Sequence, residues 1–180
     1  MFEQQLQLSD DLTTGRLDSR FSGPAIDPMA KSADYDPQSS AISSAYVSTF
    51  NDYVRTQLHF GDKQTYRLFA DIQHWDFNHH QPGAGEALQS STNVMPDLAM
   101  AMKTNPDLKV LVAGGYYDLA TPYFAARYEM AHLPIAASLQ KNIEFAWFPS
   151  GHMVYAHAPS LAALHDRVAA FIRSTDRQSQ

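Results

Sequence analysis

The last third of the chain leaves few architectures open. Residues 109–113 form a short apolar run that ends in Gly114-Gly115, as a strand enclosed on both faces would. Pro122 then opens a segment with Phe124, Tyr128 and Ala131 on one side at helical spacing. Ile143, Phe145 and Trp147 alternate as strand residues do. Pro159 opens a final helix whose apolar stripe is Leu161, Leu164, Val168, Phe171 and Ile172. Strand, helix, strand, helix in that order predicts two parallel strands joined by a right-handed crossover. The expected fold class is α/β.

The first part is less regular. Residues 13–40 are rich in Gly, Pro, Asp and Ser, which is loop composition. Ser39 or Ser40 is placed to cap a helix running to about residue 58. Its apolar positions Ile42, Ala45, Tyr46, Phe50, Tyr53, Val54 and Leu58 recur at helical spacing. A short strand fits residues 66–72, and a loop fits 74–85. A helix fits 95–102, with Asn93 as cap and Pro96 in its first turn. The expected division is therefore an irregular, helical, lid-like region over 1–105 and the strand–helix–strand–helix over 106–180. No internal repeat or low-complexity tract interrupts it.

Composition narrows the partners. The hydrophobic share of 44% across 180 residues is enough for a globular core. A net charge of −6 and the lack of any basic run argue against a nucleic-acid partner. No apolar stretch approaches the roughly 18 residues of a membrane span. The absence of Cys excludes disulfides and thiolate metal sites, and says nothing of compartment. The N-terminal residues are acidic and polar, unlike a signal peptide.

In parallel sheets, chemistry collects in the loops beyond the carboxyl ends of the strands. Asp118 occupies that place after the first strand, in Gly114-Gly115-Tyr116-Tyr117-Asp118-Leu119-Ala120-Thr121-Pro122. His152 occupies it after the second, in Pro149-Ser150-Gly151-His152-Met153-Val154. One strand–helix–strand unit separates them, so their loops are expected to be neighbours. A His acting as general base needs one ring nitrogen free, and a carboxylate on the other to fix the tautomer and stabilise the imidazolium. Taken singly, each has a plainer alternative: Asp118 as a turn or capping residue, and His152 as a structural histidine.

These loops resemble those of the serine carboxypeptidase family of α/β-hydrolases, especially its bacterial members. The Asp loop of that family carries a Gly, an Asp and a Pro placed as Gly115, Asp118 and Pro122 are, and its His loop reads Gly-His-Met, as in Gly151-His152-Met153. Gly15-Arg16-Leu17-Asp18-Ser19-Arg20-Phe21-Ser22-Gly23-Pro24, followed by Tyr35-Asp36-Pro37, is similar to the bacterial branch as well. The resemblance implies the C-terminal part of an α/β-hydrolase fold. It also implies cleavage of a C-terminal residue from peptides, a secreted or periplasmic location, and no cofactor. By it Asp118 orients, His152 acts as base and then acid, and Met153 lines the pocket for the leaving residue. Plain core packing is the alternative for Met153.

The departure from the family is the nucleophile. A nucleophile elbow needs Gly-x-Ser-x-Gly between a strand and a helix, and none occurs in these 180 residues. Ser22 and Ser150 each precede a Gly but lack the Gly two positions earlier. The family's oxyanion donors and the groups that bind the substrate's terminal carboxylate also belong to the first half of its fold. The expectation is a C-terminal portion, inactive alone, that acts on peptides only when completed by an N-terminal half.

Three other readings remain open. His74, Asp76, His79 and His80 have ligand chemistry for zinc or copper, although their spacing fits no helix-based motif. Asp118, Thr121 and Pro122 also suit the Asp-x-x-Thr-Pro loop of proline-releasing aminopeptidases and related esterases. Finally, the chain is readable as a non-catalytic interaction remnant, self-associating through an unpaired sheet edge.

Overall fold

A computed structural model describes residues 2–66, 74–86, 88–89 and 92–176. The chain forms two compact units, Met1–Arg16 with Arg20–Asp76, and Leu17–Ser19 with Phe77–Gln180.

In the first unit, α1 (Phe2–Gln5) and a 3-10 turn precede β1 (Leu12–Thr14), which pairs antiparallel with β2 (Ser22–Pro24). The long helix α2 (Pro37–Thr56) follows. Its cap is Asp36 rather than Ser39 or Ser40. The Asp36 carboxylate accepts the Ser39 N–H at 2.9 Å, and Pro37, with its preset φ, starts the first turn. Tyr46, Phe50, Tyr53 and Leu58 are exposed. Apart from Tyr66, the strand expected over 66–72 lies outside the described residues.

The second unit holds the rest. β3 (His79–His80) and β4 (Leu88–Gln89) make a two-residue antiparallel ladder, so the segment read as pure loop contains a strand. α3 (Met95–Thr104) lies where a helix was expected, and the Asn93 side chain accepts the Met95 N–H at 3.1 Å. Then come β5 (Val110–Gly115), α4 (Tyr123–Ala131), α5 (Ala137–Gln140), β6 (Ile143–Phe148) and α6 (Ala158–Thr175). β5 and β6 pair in parallel, from Val110 opposite Ile143 to Gly115 opposite Phe148. The chain is thus mixed helix and strand with a small parallel sheet. No described helix is long and apolar enough to cross a membrane.

Two apolar clusters sandwich this sheet. Ala99, Met102, Leu133 and Ile143 form one, with Val110 and Val112 against it. Ala146, Phe148 and Val154 form the other, joined by Leu111 and Leu164. The first cluster takes in α3, so the break read at 105/106 falls inside the second unit.

Burial is thinner than the pattern suggested. β5 is not enclosed on both faces, because its valines are only half-buried and Ala113 is exposed. In β6 the buried residues are Ile143, Ala146 and Phe148 rather than the alternating set. Phe145 and Trp147 instead stack on each other with centroids 6.0 Å apart. On α4, Phe124 and Tyr128 are exposed, and on α6 so are Leu161, Val168 and Ile172. Leu164, from the same α6 stripe, packs against the second cluster.

Candidate active site

The parallel ladder does not stop at the sheet. Beyond Gly115, Tyr116 N–H donates to Phe148 O at 3.0 Å and Tyr117 N–H donates to Ser150 O at 3.0 Å. These bonds carry the loops after β5 and β6 forward side by side. The next residue on one is Asp118, and two residues on along the other is His152.

Asp118 is 4% exposed, and its carboxylate is fully occupied. Oδ1 accepts the backbone N–H of Ala120 at 2.8 Å and of Thr121 at 2.9 Å. Oδ2 accepts the Thr121 hydroxyl at 2.6 Å and faces His152 Nδ1 at 2.9 Å. Burial by itself pushes the carboxyl pKa up. The hydrogen bonds from Thr121, His152 and Ala120 outweigh it and hold the group below its ordinary value. A carboxylate kept ionised at neutral pH selects the Nδ1–H tautomer of a neutral imidazole.

His152 is the exposed half of the pair, with 44% of its side chain open to solvent. Both side-chain neighbours of the ring sit at Nδ1, where the Thr121 oxygen also lies at 3.3 Å. That leaves Nε2, across the ring, to take up and return a proton. The His152 backbone N–H donates to Leu17 O at 2.7 Å. Chemically, an imidazole held at Nδ1 in this way can serve as a general base through Nε2.

The other singled-out residues fall differently. Met153 is half-buried and leads into a 3-10 turn, its carbonyl accepting the Ala156 N–H at 2.9 Å. Ser150 is 1% exposed, and its hydroxyl is directed to Val154 O at 3.4 Å. Ser22 lies in β2 of the first unit. Among the described residues, no group of three or more His, Cys, Asp or Glu side chains is arranged to hold a metal. His79 pairs instead with Asp97 at 2.8 Å, at the start of α3.

Thr121 entered the sequence argument only as part of an Asp-x-x-Thr-Pro pattern, and its contacts with Asp118 are new. The signal was present: an Asp followed three positions on by Thr is a local side-chain-to-backbone turn. Thr121→Val keeps the shape and the backbone N–H but removes the hydroxyl. It is expected to cost about 2 kcal/mol, the scale of a hydrogen bond to a charged group. It should also return the Asp118 pKa toward its ordinary value. Carboxyl-carbon NMR of the variant checks this, and an unmoved Asp118 titration would contradict it.

Comparison with family models, with curated proteins and with solved structures found no match for this chain.

Proposed function

We propose that this chain supplies the orienting carboxylate and the general base of a serine-type peptide hydrolase of the carboxypeptidase kind, built on an α/β-hydrolase fold. The observation that carries the reading is His152 Nδ1 lying 2.9 Å from the buried Asp118 carboxylate. The two residues follow consecutive parallel strands in the chain order Asp then His. In this reading Asp118 holds the imidazole, and His152 Nε2 takes the proton of a serine hydroxyl and returns it to the leaving amine. Met153, next to the base, borders the pocket for the leaving residue.

The nucleophile comes from outside these 180 residues. No Gly-x-Ser-x-Gly occurs in them, and the hydroxyl of Ser150, the nearest serine in sequence, is enclosed. Without a serine and an oxyanion hole, an Asp–His pair stabilises little of a tetrahedral intermediate. The exposed stripes on α4 and α6 also fit a chain that associates, with a complementary half or with itself. The Thr121–Asp118 bond suits the loop of proline-releasing aminopeptidases and esterases equally well.

The test has two arms. The isolated chain is expected to form no adduct with a serine-reactive fluorophosphonate and to leave a blocked dipeptide intact. An adduct or hydrolysis that disappears in His152→Ala would refute the missing nucleophile. Joined to a serine-bearing N-terminal hydrolase half, the chain is expected to release C-terminal amino acids from blocked dipeptides. Release of N-terminal proline, or ester cleavage alone, would assign the other branch.

A further inference from the structure

Residues 17–19 come from the Gly15 to Pro24 stretch, for which the mechanism above has no use, yet they are packed into the second unit with the catalytic loops. Leu17 O accepts the His152 N–H at 2.7 Å, and Ser19 N–H donates to Tyr117 O at 2.8 Å. One bond therefore ends on the base itself, and the other on the residue that precedes the orienting carboxylate. Asp18, between them, is 1% exposed.

The fit is tight enough to dictate a residue type. A Cβ at Gly151 would lie 2.4 Å from Leu17 O, 2.5 Å from Asp18 Cβ and 2.7 Å from Asp18 Cγ. Gly151 does not have a positive φ, so the turn does not demand glycine there. What demands it is the close approach of residues 17 and 18.

We propose that Leu17-Asp18-Ser19 is a positioning strap, which ties the Asp118 loop to the His152 loop and so fixes the separation of the two side chains. The inference rests on the reading of Asp118 and His152 as a catalytic pair, and makes Asp18 a positioning residue that acts through His152. The strap bonds one loop through its first residue and the other through its third. Lateral movement of either loop therefore breaks a backbone bond and presses on the buried Asp18 side chain. The Tyr117–Ser150 backbone bond joins the loops before either side chain is reached, and beyond it the Asp118–His152 hydrogen bond resists such movement weakly, because one partner is solvent-exposed.

The readout is the His152 Nδ1–H proton, observed by NMR in the full chain. Gly151→Ala, whose Cβ would press on Leu17 and Asp18, is expected to speed its exchange with water about tenfold or more. A folded Gly151→Ala protein with unchanged Nδ1–H exchange would overturn the strap.

If Gly151→Ala does not fold, backbone amide exchange of the unsubstituted chain decides. The Ser19 and His152 amides are expected to be protected like that of Tyr117. Exchange about a hundredfold faster at both would overturn the proposal. The two readings fail separately. An Nδ1–H signal indifferent to Asp118→Asn would remove the catalytic pair, while the amides would still report on the strap.

Discussion

Alanine in place of Gly115 is expected to destabilise the second unit by about 3 kcal/mol, the upper end of the usual cost of overpacking. A Cβ there would stand 2.1 Å from Ser150 O and 2.3 Å from Gly151 O. Both are backbone atoms, so no rotamer change relieves the clash. Either β5 or the His loop must move, and the Tyr117–Ser150 bond that aligns the loops sits at the same point. Urea unfolding of the variant, followed by intrinsic fluorescence, measures the loss. A stability within about 0.5 kcal/mol of the unsubstituted chain would mean that the strands do not approach as described.

Under the proposed peptide-hydrolase reading, Asp118→Asn is expected to abolish release of C-terminal amino acids by the chain joined to a serine-bearing half, while preserving shape. The amide still accepts the two backbone N–H groups on its oxygen. Its NH2 then meets Thr121 and His152 Nδ1, and the imidazole must present a lone pair there and carry its proton on Nε2. That is the wrong tautomer for a base, and the expected loss in turnover is about 10⁴-fold, as in triads so altered.

The same substitution changes the acid limb of stability. Because the folded carboxyl titrates below its unfolded value, its contribution is complete above the ordinary aspartate range and is lost as pH falls through the depressed value. The stability gap between the unsubstituted chain and Asp118→Asn should therefore close toward low pH. A gap that persists unchanged in acid would contradict the hydrogen-bonded carboxylate.

Local pattern carried much of the architecture and half of the site. The helices α2, α3, α4 and α6 and the strands β5 and β6 all follow from periodicity and from Pro and Gly punctuation, which are properties of neighbouring residues. The faces were less legible. In β6 the large aromatics Phe145 and Trp147 dominate the alternation, yet Ile143, small Ala146 and terminal Phe148 are the ones enclosed. Hydrophobicity marks what a strand can bury, while the neighbouring layers decide what it does bury. The β3–β4 ladder was missed because two-residue strands are too short to carry a period.

Asp118 and His152 were legible because their loops follow recognisable strands. The strap was not, since its partners lie far along the chain and three residues leave no periodic trace. The one local hint was Gly151, whose need for a missing side chain makes sense only once Leu17 and Asp18 are beside it.

The partners of Asp118 divide by distance along the chain, and that division orders the assembly of the site. Its contacts with Thr121 span 3 positions, whereas the bond to His152 spans 34. Closing the longer loop costs about 2 kcal/mol more chain entropy than closing the shorter one. The shorter turn is therefore open to a chain with no sheet at all, held by its own four residues. The bond to His152 has to await pairing of β5 with β6, and so shares whatever cooperativity that pairing has. Loosening at the sheet's carboxyl end would part the acid from the base and leave the Asp118 turn standing.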